Sequence, residues 1–292
     1  MDEHGVFAAV EKTAETDIKT ESDNTENDIS LSIDNGSSAA IRPASNTKYV
    51  LVPIATIGCG KTSLSLALTK LFGWGHIQND DIPKTRGGAG RKFCEAIVKS
   101  LSNRRVSIAD RNNHMKRERA QIFQDMADLL PTPDVKYIAM HFVHNGLVGK
   151  HEVRATTLRR VLVRGDNHQS IRAASDGQRK IAGIMDGFLH RFQPIDMSQS
   201  PDKEMFDLVI NLTVNMSLKA NLTKIIDAIM SKYPPLILER PSEQELEDAI
   251  KYAREYRPTI RKIMSAKDNI RRPMGRQQTT LSFKPAGRKT PY

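Results

Sequence analysis

Residues 49–63 read YVLVPIATIGCGKTS and constrain the fold of this chain more than any other stretch. The apolar run Tyr49–Ile54 is too short for a typical helix and is rich in strand-forming residues. A turn containing Gly58 and Gly60 follows, and apolar residues at helical spacing begin just after Lys61. A buried strand that leads through a glycine-rich turn into a helix directs free backbone N–H groups and the positive helix end at an anion. The stretch therefore predicts a site for the phosphates of a nucleotide.

The residue types in this loop indicate specific roles. Lys61 is expected to reach the β- and γ-phosphates, and the Thr62 hydroxyl is expected to lie on Mg²⁺. The general pattern has a glycine five residues before Gly60, whereas this chain has Ala55. The predicted nucleotide-binding residues of the loop are Gly58, Cys59, Gly60, Lys61, Thr62 and Ser63.

Short apolar runs alternate with helical patterns between residues 47 and 235. This alternation predicts an α/β fold of the P-loop NTPase type, a parallel sheet with helices on both faces. The predicted strands are Tyr49–Ile54, His76–Gln78, Val106–Ala109, Tyr137–Phe142 and Leu208–Leu212. The predicted helices are Lys61–Phe72, Arg91–Ser102, Lys116–Leu130, Glu152–Val163, Gly177–Phe192 and Leu218–Lys232.

Charge and composition divide the chain into four predicted segments. Residues 1–46 have a net charge of −7 and form an expected acidic disordered tail. The P-loop domain spans 47–235, a charged helix that starts at a capping box lies within 236–257, and a basic disordered tail covers 258–292. Because the whole chain carries +10, everything after residue 46 carries +17. This excess favours a polyanionic partner, nucleic acid above all.

Other classes of protein are disfavoured by what the sequence lacks. The two cysteines, Cys59 and Cys94, offer neither a disulfide framework nor the spacing of a zinc site. The first residues do not resemble a signal peptide, and no apolar stretch approaches the ~20 residues of a membrane span. We therefore expect a soluble protein of the cytoplasm or nucleus, with no membrane partner; the sequence leaves its oligomeric state open.

Polar clusters follow the predicted strands at their carboxyl ends, where ligands bind in open parallel sheets. Asp80, after the second strand, is the candidate general base that accepts the proton of a substrate hydroxyl. Asp110, after the third strand, is left with three roles: holding Mg²⁺ through water, orienting the substrate, or capping the next helix. Its neighbour Arg111 can bind a substrate phosphate through two parallel hydrogen bonds, and Asn112 completes the predicted substrate-binding set.

Residues 154–180 are dense in arginine and lysine around the sequence Gly165-Asp166-Asn167-His168-Gln169. Such a segment in a P-loop fold is expected to form a movable lid that places one or two arginines on the phosphates. Arg164, beside the glycine, is the predicted catalytic and nucleotide-binding lid arginine, and Arg172 is the second candidate.

Four of these motifs, in this order, resemble the central kinase domain of fungal tRNA ligase. The resemblance covers about residues 47–240, and Ala55 is shared with the family pattern. The motifs are Val52–Thr62, Gly75–Asp80, Asp110–His114 and Arg164–Gln169.

The resemblance implies a polynucleotide 5′-hydroxyl kinase. It would phosphorylate the 5′-OH end of the tRNA half-molecule left by the splicing endonuclease, using GTP or ATP with Mg²⁺; GTP is preferred in the family. At matching positions, Lys61 and Thr62 would bind the phosphates and the metal, Asp80 would be the general base, Arg111 would contact the substrate end and Arg164 would belong to the lid.

Two further domains of the resembled family are not indicated by a complete set of their motifs here. Its adenylyltransferase has a Lys-x-Asp/Asn-Gly motif and its cyclic phosphodiesterase has a pair of His-x-Thr/Ser motifs, and this sequence contains neither the first nor such a pair. We therefore expect neither of those activities from this chain.

Two other functions stay open at this point. One is a P-loop kinase for a small metabolite, although the charge of +17 outside the acidic tail argues against it. The other is a module without catalysis, in which the loop binds a nucleotide and the basic tail recruits a nucleic acid.

Overall fold

The structure is a computed structural model that describes residues 46–83, 88–130, 134–144, 149–167, 171 and 176–258. Residues 1–45 and 259–292 of the two predicted tails lie outside the described residues, as does Arg172. The strands are β1 (Lys48–Ile54), β2 (Gly75–Gln78), β3 (Val106–Asp110), β4 (Val135–Val143) and β5 (Leu208–Thr213). Within the described residues, these parallel strands form a single sheet in the order β2-β3-β1-β4-β5.

The predicted helices are all present and begin and end within two residues of their expected bounds, while a four-residue helix at Asp202–Met205 and two short 3₁₀ turns were not predicted. The turns are Asn79–Asp81 and Pro234–Leu236. The helices are α1 (Lys61–Phe72), α2 (Ala89–Asn103), α3 (Lys116–Leu129), α4 (Lys150–Arg164), α5 (Gln178–Arg191), α6 (Asp202–Met205), α7 (Leu218–Lys232) and α8 (Glu243–Glu255).

The central strand β1 is buried on both faces because its alternate residues point to opposite sides of the sheet. Tyr49 and Leu51 pack in an apolar cluster with α1, α7 and α8. Val50 and Val52 pack in a second cluster with α2 and α3. The predicted α/β fold with helices on both faces of a parallel sheet is therefore confirmed.

Helix α8 belongs to the core of this domain. Ser242 and Glu245 form the expected capping box at its N-terminus. Its apolar face, which includes Leu246, Ala249 and Ile250, is buried in the cluster that contains α1. The charged helix predicted at 236–257 thus has one buried face, whereas the four-segment division of the chain stays a prediction.

The carboxyl ends of the strands share one edge of the sheet, as parallel strands require. That edge places the loop after β1 beside the Asn79–Asp81 turn after β2 and the residues that follow β3 and β4. Helices α4 and α5 pack over the loop after β1 through a third apolar cluster, to which the loop contributes Ile57. None of the helices in the described part of the chain is both long and apolar enough to span a membrane.

Candidate active site

The loop between β1 and α1 has the conformation of a phosphate-binding loop. Gly58 and Gly60 have φ angles of +83° and +100°, a region that L side chains rarely adopt. Helix α1 begins at Lys61, and no side chain caps its N-terminus. The N–H groups of its first turn have no partner within the helix, so they and the helix dipole are available to bind phosphate oxygens.

Helix α4 lies directly against this loop. A Cβ atom on Gly58 would come within 2.7 Å of the backbone oxygen of Thr157, so only glycine fits at this contact. The guanidinium of Arg160 donates a hydrogen bond of 3.3 Å to the carbonyl of Cys59. Sequence reasoning did not single out Arg160; its only signal was its place one helical turn before Arg164.

His144, the residue directly after β4, also supports the loop. His144 Nδ1 lies 2.6 Å from the carbonyl oxygen of Phe142, so it carries the proton and donates that bond. Nε2 is then an acceptor for the Thr56 hydroxyl at 2.9 Å. Burial lowers the pKa of His144 to about 4, which keeps the ring neutral near neutral pH. His144 therefore has a supporting role that sequence reasoning missed.

Cys59 has no sign of an activated thiol. Its side chain is 3 % exposed, and burial raises the pKa of the thiol despite hydrogen bonding from Thr56. Its Sγ lies 3.3 Å from Thr56 Oγ1, so Cys59 packs the interior of the loop.

Asp110, the last residue of β3, is buried beside the start of α1. Its Oδ2 accepts a hydrogen bond of 3.0 Å from His76 Nε2, whereas Oδ1 is buried without a hydrogen-bond partner among the described residues. Burial alone would raise the pKa of Asp110, but the charges of Lys61 and His76 and the nearby hydroxyl of Thr62 lower it below its usual value. The structure thus brings an ionised carboxylate together with the two loop residues expected at the phosphates and the metal.

Asp80 lies in the 3₁₀ turn after β2 and is exposed. Arg164, at the last turn of α4, is close enough to feel the charge of this carboxylate: burial lowers the pKa of Arg164, and the charge of Asp80 opposes that shift. Arg164 Nε and Nη2 are buried without a hydrogen-bond partner among the described residues. The predicted base and the predicted lid arginine therefore lie near enough to influence each other, and within the described residues Arg164 has two donors available for a ligand.

The segment Asp110–His114 is held rigidly against β1. Asn113 has a φ angle of +50° and donates a hydrogen bond of 2.9 Å to the carbonyl of Pro53. The amide of Ala55 in turn donates to the carbonyl of Asn112 at 2.9 Å. Arg111 and Asn112, both half-buried, are therefore fixed at the edge of the sheet next to the phosphate loop.

A buried ion pair also supports this segment. Arg119 and Asp202 are both fully buried and form two hydrogen bonds of 2.7 Å. Arg119 also donates to the carbonyls of Asn113 and Gln193, at 3.3 and 3.0 Å. The pair ties α3 and α6 to the backbone that carries Arg111 and Asn112, a role that sequence reasoning did not anticipate.

The arrangement has the parts that phosphoryl transfer requires. It combines an anion-binding helix N-terminus, an ionised carboxylate beside Lys61 and Thr62, an exposed carboxylate at Asp80, and a cation with free donors at Arg164. In the described part of the chain, no three His, Cys, Asp or Glu side chains converge as a metal cluster. A metal held mainly by substrate phosphates and water, as Mg²⁺ usually is, needs no such cluster.

Comparison with known proteins agrees with this reading of the site. A family model described as the tRNA ligase kinase domain matches residues 50–215. The tRNA ligase of Candida albicans is 40% identical over 237 residues, which are 76% of this chain and 28% of that protein. The tRNA ligase 1 of Schizosaccharomyces pombe is 38% identical over 215 residues, 73% of this chain and 26% of that protein.

A solved structure, the crystal structure of a fungal RNA kinase, superposes with a TM-score of 0.66 at 38% identity. The superposition includes 73% of this chain and 99% of the RNA kinase chain. The chain spans only about a quarter of the length of the two curated relatives, but it matches nearly all of the solved kinase.

A second family model, the fungal tRNA ligase phosphodiesterase domain, matches residues 217–292. The sequence motifs did not indicate a phosphodiesterase domain, so this similarity was not anticipated from the sequence. The matched segment contains no histidine, and a pair of His-x-Thr/Ser motifs is therefore not within it.

The kinase model alone covers more than half of the chain, and its match includes the phosphate loop, Asp80, Asp110 and Arg164. The chain therefore belongs to the tRNA ligase kinase domain family.

Proposed function

We propose that this chain is a polynucleotide 5′-hydroxyl kinase that transfers the γ-phosphate of GTP or ATP to the 5′-OH end of an RNA. The natural acceptor we propose is a tRNA half-molecule in tRNA splicing. The observation that carries the proposal is an anion-binding loop with Asp80 and Arg164 in electrostatic reach of each other, in a member of the tRNA ligase kinase family. The similarity to a fungal RNA kinase over almost its whole length supports RNA as the acceptor.

In this mechanism the donor phosphates lie on the first turn of α1, with Lys61 on the β- and γ-phosphates. Asp80 accepts the proton of the RNA 5′-OH while that oxygen forms a bond to the γ-phosphorus. The bond between the γ-phosphorus and the bridging oxygen breaks, and a nucleoside diphosphate leaves. The free donors of Arg164 bind phosphate oxygens as negative charge redistributes.

The residues present fit Mg²⁺ at one place. The buried Oδ1 of Asp110 lacks a hydrogen-bond partner among the described residues, and the Thr62 hydroxyl is close enough to the carboxyl group to help lower its pKa. Thr62 would ligate Mg²⁺, and Asp110 would hold it directly or through water; when bound, Mg²⁺ neutralises charge on the donor phosphates. Of the three roles left open for Asp110 by its sequence, metal binding is the one that this geometry supports.

At the acceptor, Arg111 and Asn112 lie next to the phosphate loop on the backbone that Asn113 fixes. Arg111 would bind the phosphate on the 3′ side of the first nucleotide, and Asn112 would orient its sugar. These contacts would hold the 5′-OH close to Asp80. Asp80 follows β2, and β2 is the neighbour in the sheet of β3, the strand that Arg111 and Asn112 follow.

Incubation of the full chain with γ-labelled GTP or ATP and a 5′-OH oligoribonucleotide tests this proposal. Label should appear on the RNA 5′ end in the presence of Mg²⁺, and a 5′-phosphorylated oligoribonucleotide should accept none. Nucleotide hydrolysis without label on RNA would contradict the proposal. It would favour one of the two alternative functions, a kinase for a small metabolite or a nucleotide-binding module without kinase activity.

Variants test the roles of the residues in the same assay. Lys61→Ala and Asp80→Ala should each lower kcat by at least about 10²-fold, because each removes a group that acts on the reacting atoms. Asp81→Ala is the matched control in the same 3₁₀ turn and should have a much smaller effect. Equal losses from the two aspartate variants would rule out Asp80 as the specific base.

A further inference from the structure

A cavity of about 370 Å³ opens between the first turns of α4 and the last turn of α5. It lies beyond the residues assigned above to the reacting groups. Its lining falls into two chemical groups. The basic wall comprises Lys150, His151, Arg154 and His190 together with the acidic Asp186, the apolar wall comprises Leu189, Phe192 and Pro194, and His144 completes the lining.

Basic side chains outnumber acidic ones in the lining of the cavity. Arg154 is paired with Asp186 through hydrogen bonds of 2.5 and 2.8 Å. Lys150, His151 and His190 are exposed, and Lys150 forms no ion pair within the described residues. Cations next to an aromatic and aliphatic surface suit one nucleotide of a strand, with its phosphate on the basic wall and its sugar and base on the apolar wall.

The cavity is connected to the acceptor side of the active site. The segment that forms its apolar wall is joined to the loop after β3, because Gln193 N donates to the carbonyl of His114 at 2.8 Å. Lys116 N also donates to Gln193 Oε1 at 2.7 Å. This loop carries Arg111, the residue proposed to bind the acceptor phosphate. A strand held there can continue along the loop toward the cavity.

The floor of the cavity connects it to the phosphate loop as well. His144 lines the cavity, its ring centroid is 3.9 Å from that of Phe192, and its Nε2 contacts Thr56. Arg164 lies at the opposite end of α4, so the cavity is separate from the part of the predicted lid that carries Arg164, although Arg154 belongs to both.

We propose that this cavity, on the basic face of α4 and α5, binds a nucleotide of the acceptor RNA downstream of the 5′ end. The inference rests on the proposed kinase function and extends it: the enzyme recognises a polynucleotide through a contact beyond the first nucleotide. Loss of this contact weakens the binding of long acceptors and leaves the phosphorylation of a single nucleotide unchanged.

The test compares two acceptors, a nucleoside 3′-monophosphate and a 5′-OH decaribonucleotide, in the full chain. Lys150→Glu and His190→Ala change exposed side chains on the basic wall, so neither should disturb the core. Lys224→Glu on α7 is the control, since it makes the same change of charge at an exposed site on another helix. Circular dichroism and melting temperature confirm that each variant is folded.

Lys150→Glu should raise the KM for the decamer by about tenfold, the effect of losing one hydrogen bond to a charged group. His190→Ala should raise it by a smaller factor, and neither variant should change the KM of the donor nucleotide or of the monophosphate acceptor. Equal effects on both acceptors, an effect on the donor alone, or no difference from Lys224→Glu would each overturn the inference.

A binding measurement separates this inference from the proposed function. Fluorescence anisotropy of a labelled decamer should show weaker binding to Lys150→Glu than to Lys224→Glu, with a shallower dependence on salt. If the unchanged protein phosphorylates no acceptor, the proposed function fails, and the anisotropy still decides the cavity. If it phosphorylates both acceptors and the anisotropy is the same for both variants, only the cavity assignment fails.

Discussion

The side-chain amide of Gln78 donates a hydrogen bond of 2.8 Å to the hydroxyl of Tyr256. Gln78 is the last residue of β2 and directly precedes the turn that carries Asp80, while Tyr256 directly follows α8. The carbonyl of Tyr256 also accepts a hydrogen bond of 3.5 Å from Asn167, just beyond α4. A residue within the segment similar to the phosphodiesterase domain thus contacts both sides of the kinase site.

Tyr256→Phe should lower kcat for phosphoryl transfer by about 3- to 10-fold, because it removes a hydrogen bond worth ~1 kcal/mol that positions the Asp80 turn. The aromatic ring remains, so the melting temperature should change little. Steady-state kinetics with a 5′-OH oligoribonucleotide provide the measurement.

Tyr252→Phe is the matched control for this change, because Tyr252 lies on α8 but is 45% exposed. It should leave kcat unaltered. If Gln78→Leu and Tyr256→Phe act through the same hydrogen bond, the double variant should lose no more than the larger single effect. Fully additive losses would show that the two residues act independently.

The two loop glycines should differ in how strongly they resist substitution. Gly58→Ala and Gly60→Ala both place a side chain at positive φ, at a cost of roughly 1–2 kcal/mol. At Gly58 the new Cβ would also collide with the backbone of Thr157, whereas at Gly60, apart from its chain neighbours, it would meet no atom of the described residues within 4 Å. Gly58→Ala should therefore lower the free energy of unfolding by about 1–3 kcal/mol more than Gly60→Ala does. Urea denaturation without nucleotide measures both, and equal losses would mean that α4 does not hold its position against the loop.

Much of this site could be predicted from sequence because its elements are local. The strand before the phosphate loop and the helix after it have different apolar periods, and the structure starts and ends α1 at the predicted residues. The rule that ligands gather at the carboxyl ends of parallel strands then placed Asp80 and Asp110 at the same edge of the sheet.

The supporting contacts could not be predicted because they join residues far apart in sequence. Arg119 and Asp202 are 83 positions apart, Thr56 and His144 are 88 apart, and Cys59 and Arg160 are 101 apart. Each contact depends on how one helix or loop packs on another, which apolar periodicity within a segment does not specify. The short helix α6 was missed for a related reason: its four residues are too few to show a period.

The buried pair of Arg119 and Asp202 should be sensitive to the loss of either partner. Arg119→Met or Asp202→Asn leaves the other group buried without its counterpart, and each should cost about 3–5 kcal/mol in the free energy of unfolding. Replacing both with apolar residues should recover part of that loss. Denaturation in urea measures each variant.

The exposed pair of Arg240 and Asp227 is the control for this prediction, since both side chains are about half exposed. Arg240→Ala should cost at most ~1 kcal/mol. A comparable effect at the two pairs would contradict the role assigned to burial.

His144 should make the stability of the protein dependent on pH in the acid range. Its pKa is about 4 in the folded protein and about 6.5 in the unfolded chain, so between these values the unfolded state binds the additional proton. The contribution of the neutral ring is fully present above pH 6.5 and is lost as the pH falls toward 4. The loss should reach roughly 3 kcal/mol.

His144→Gln removes this titration and leaves a side chain that can still accept a hydrogen bond from Thr56. The free energy of unfolding, measured in urea from pH 4 to pH 7, should fall with acidification more steeply for the unchanged protein than for the variant. Burial lowers the pKa of His141 as well, but His141 is present in both proteins and cancels in the comparison. Parallel pH profiles would show that His144 keeps a nearly normal pKa in the folded state, and that the Thr56 contact does not depend on a neutral ring.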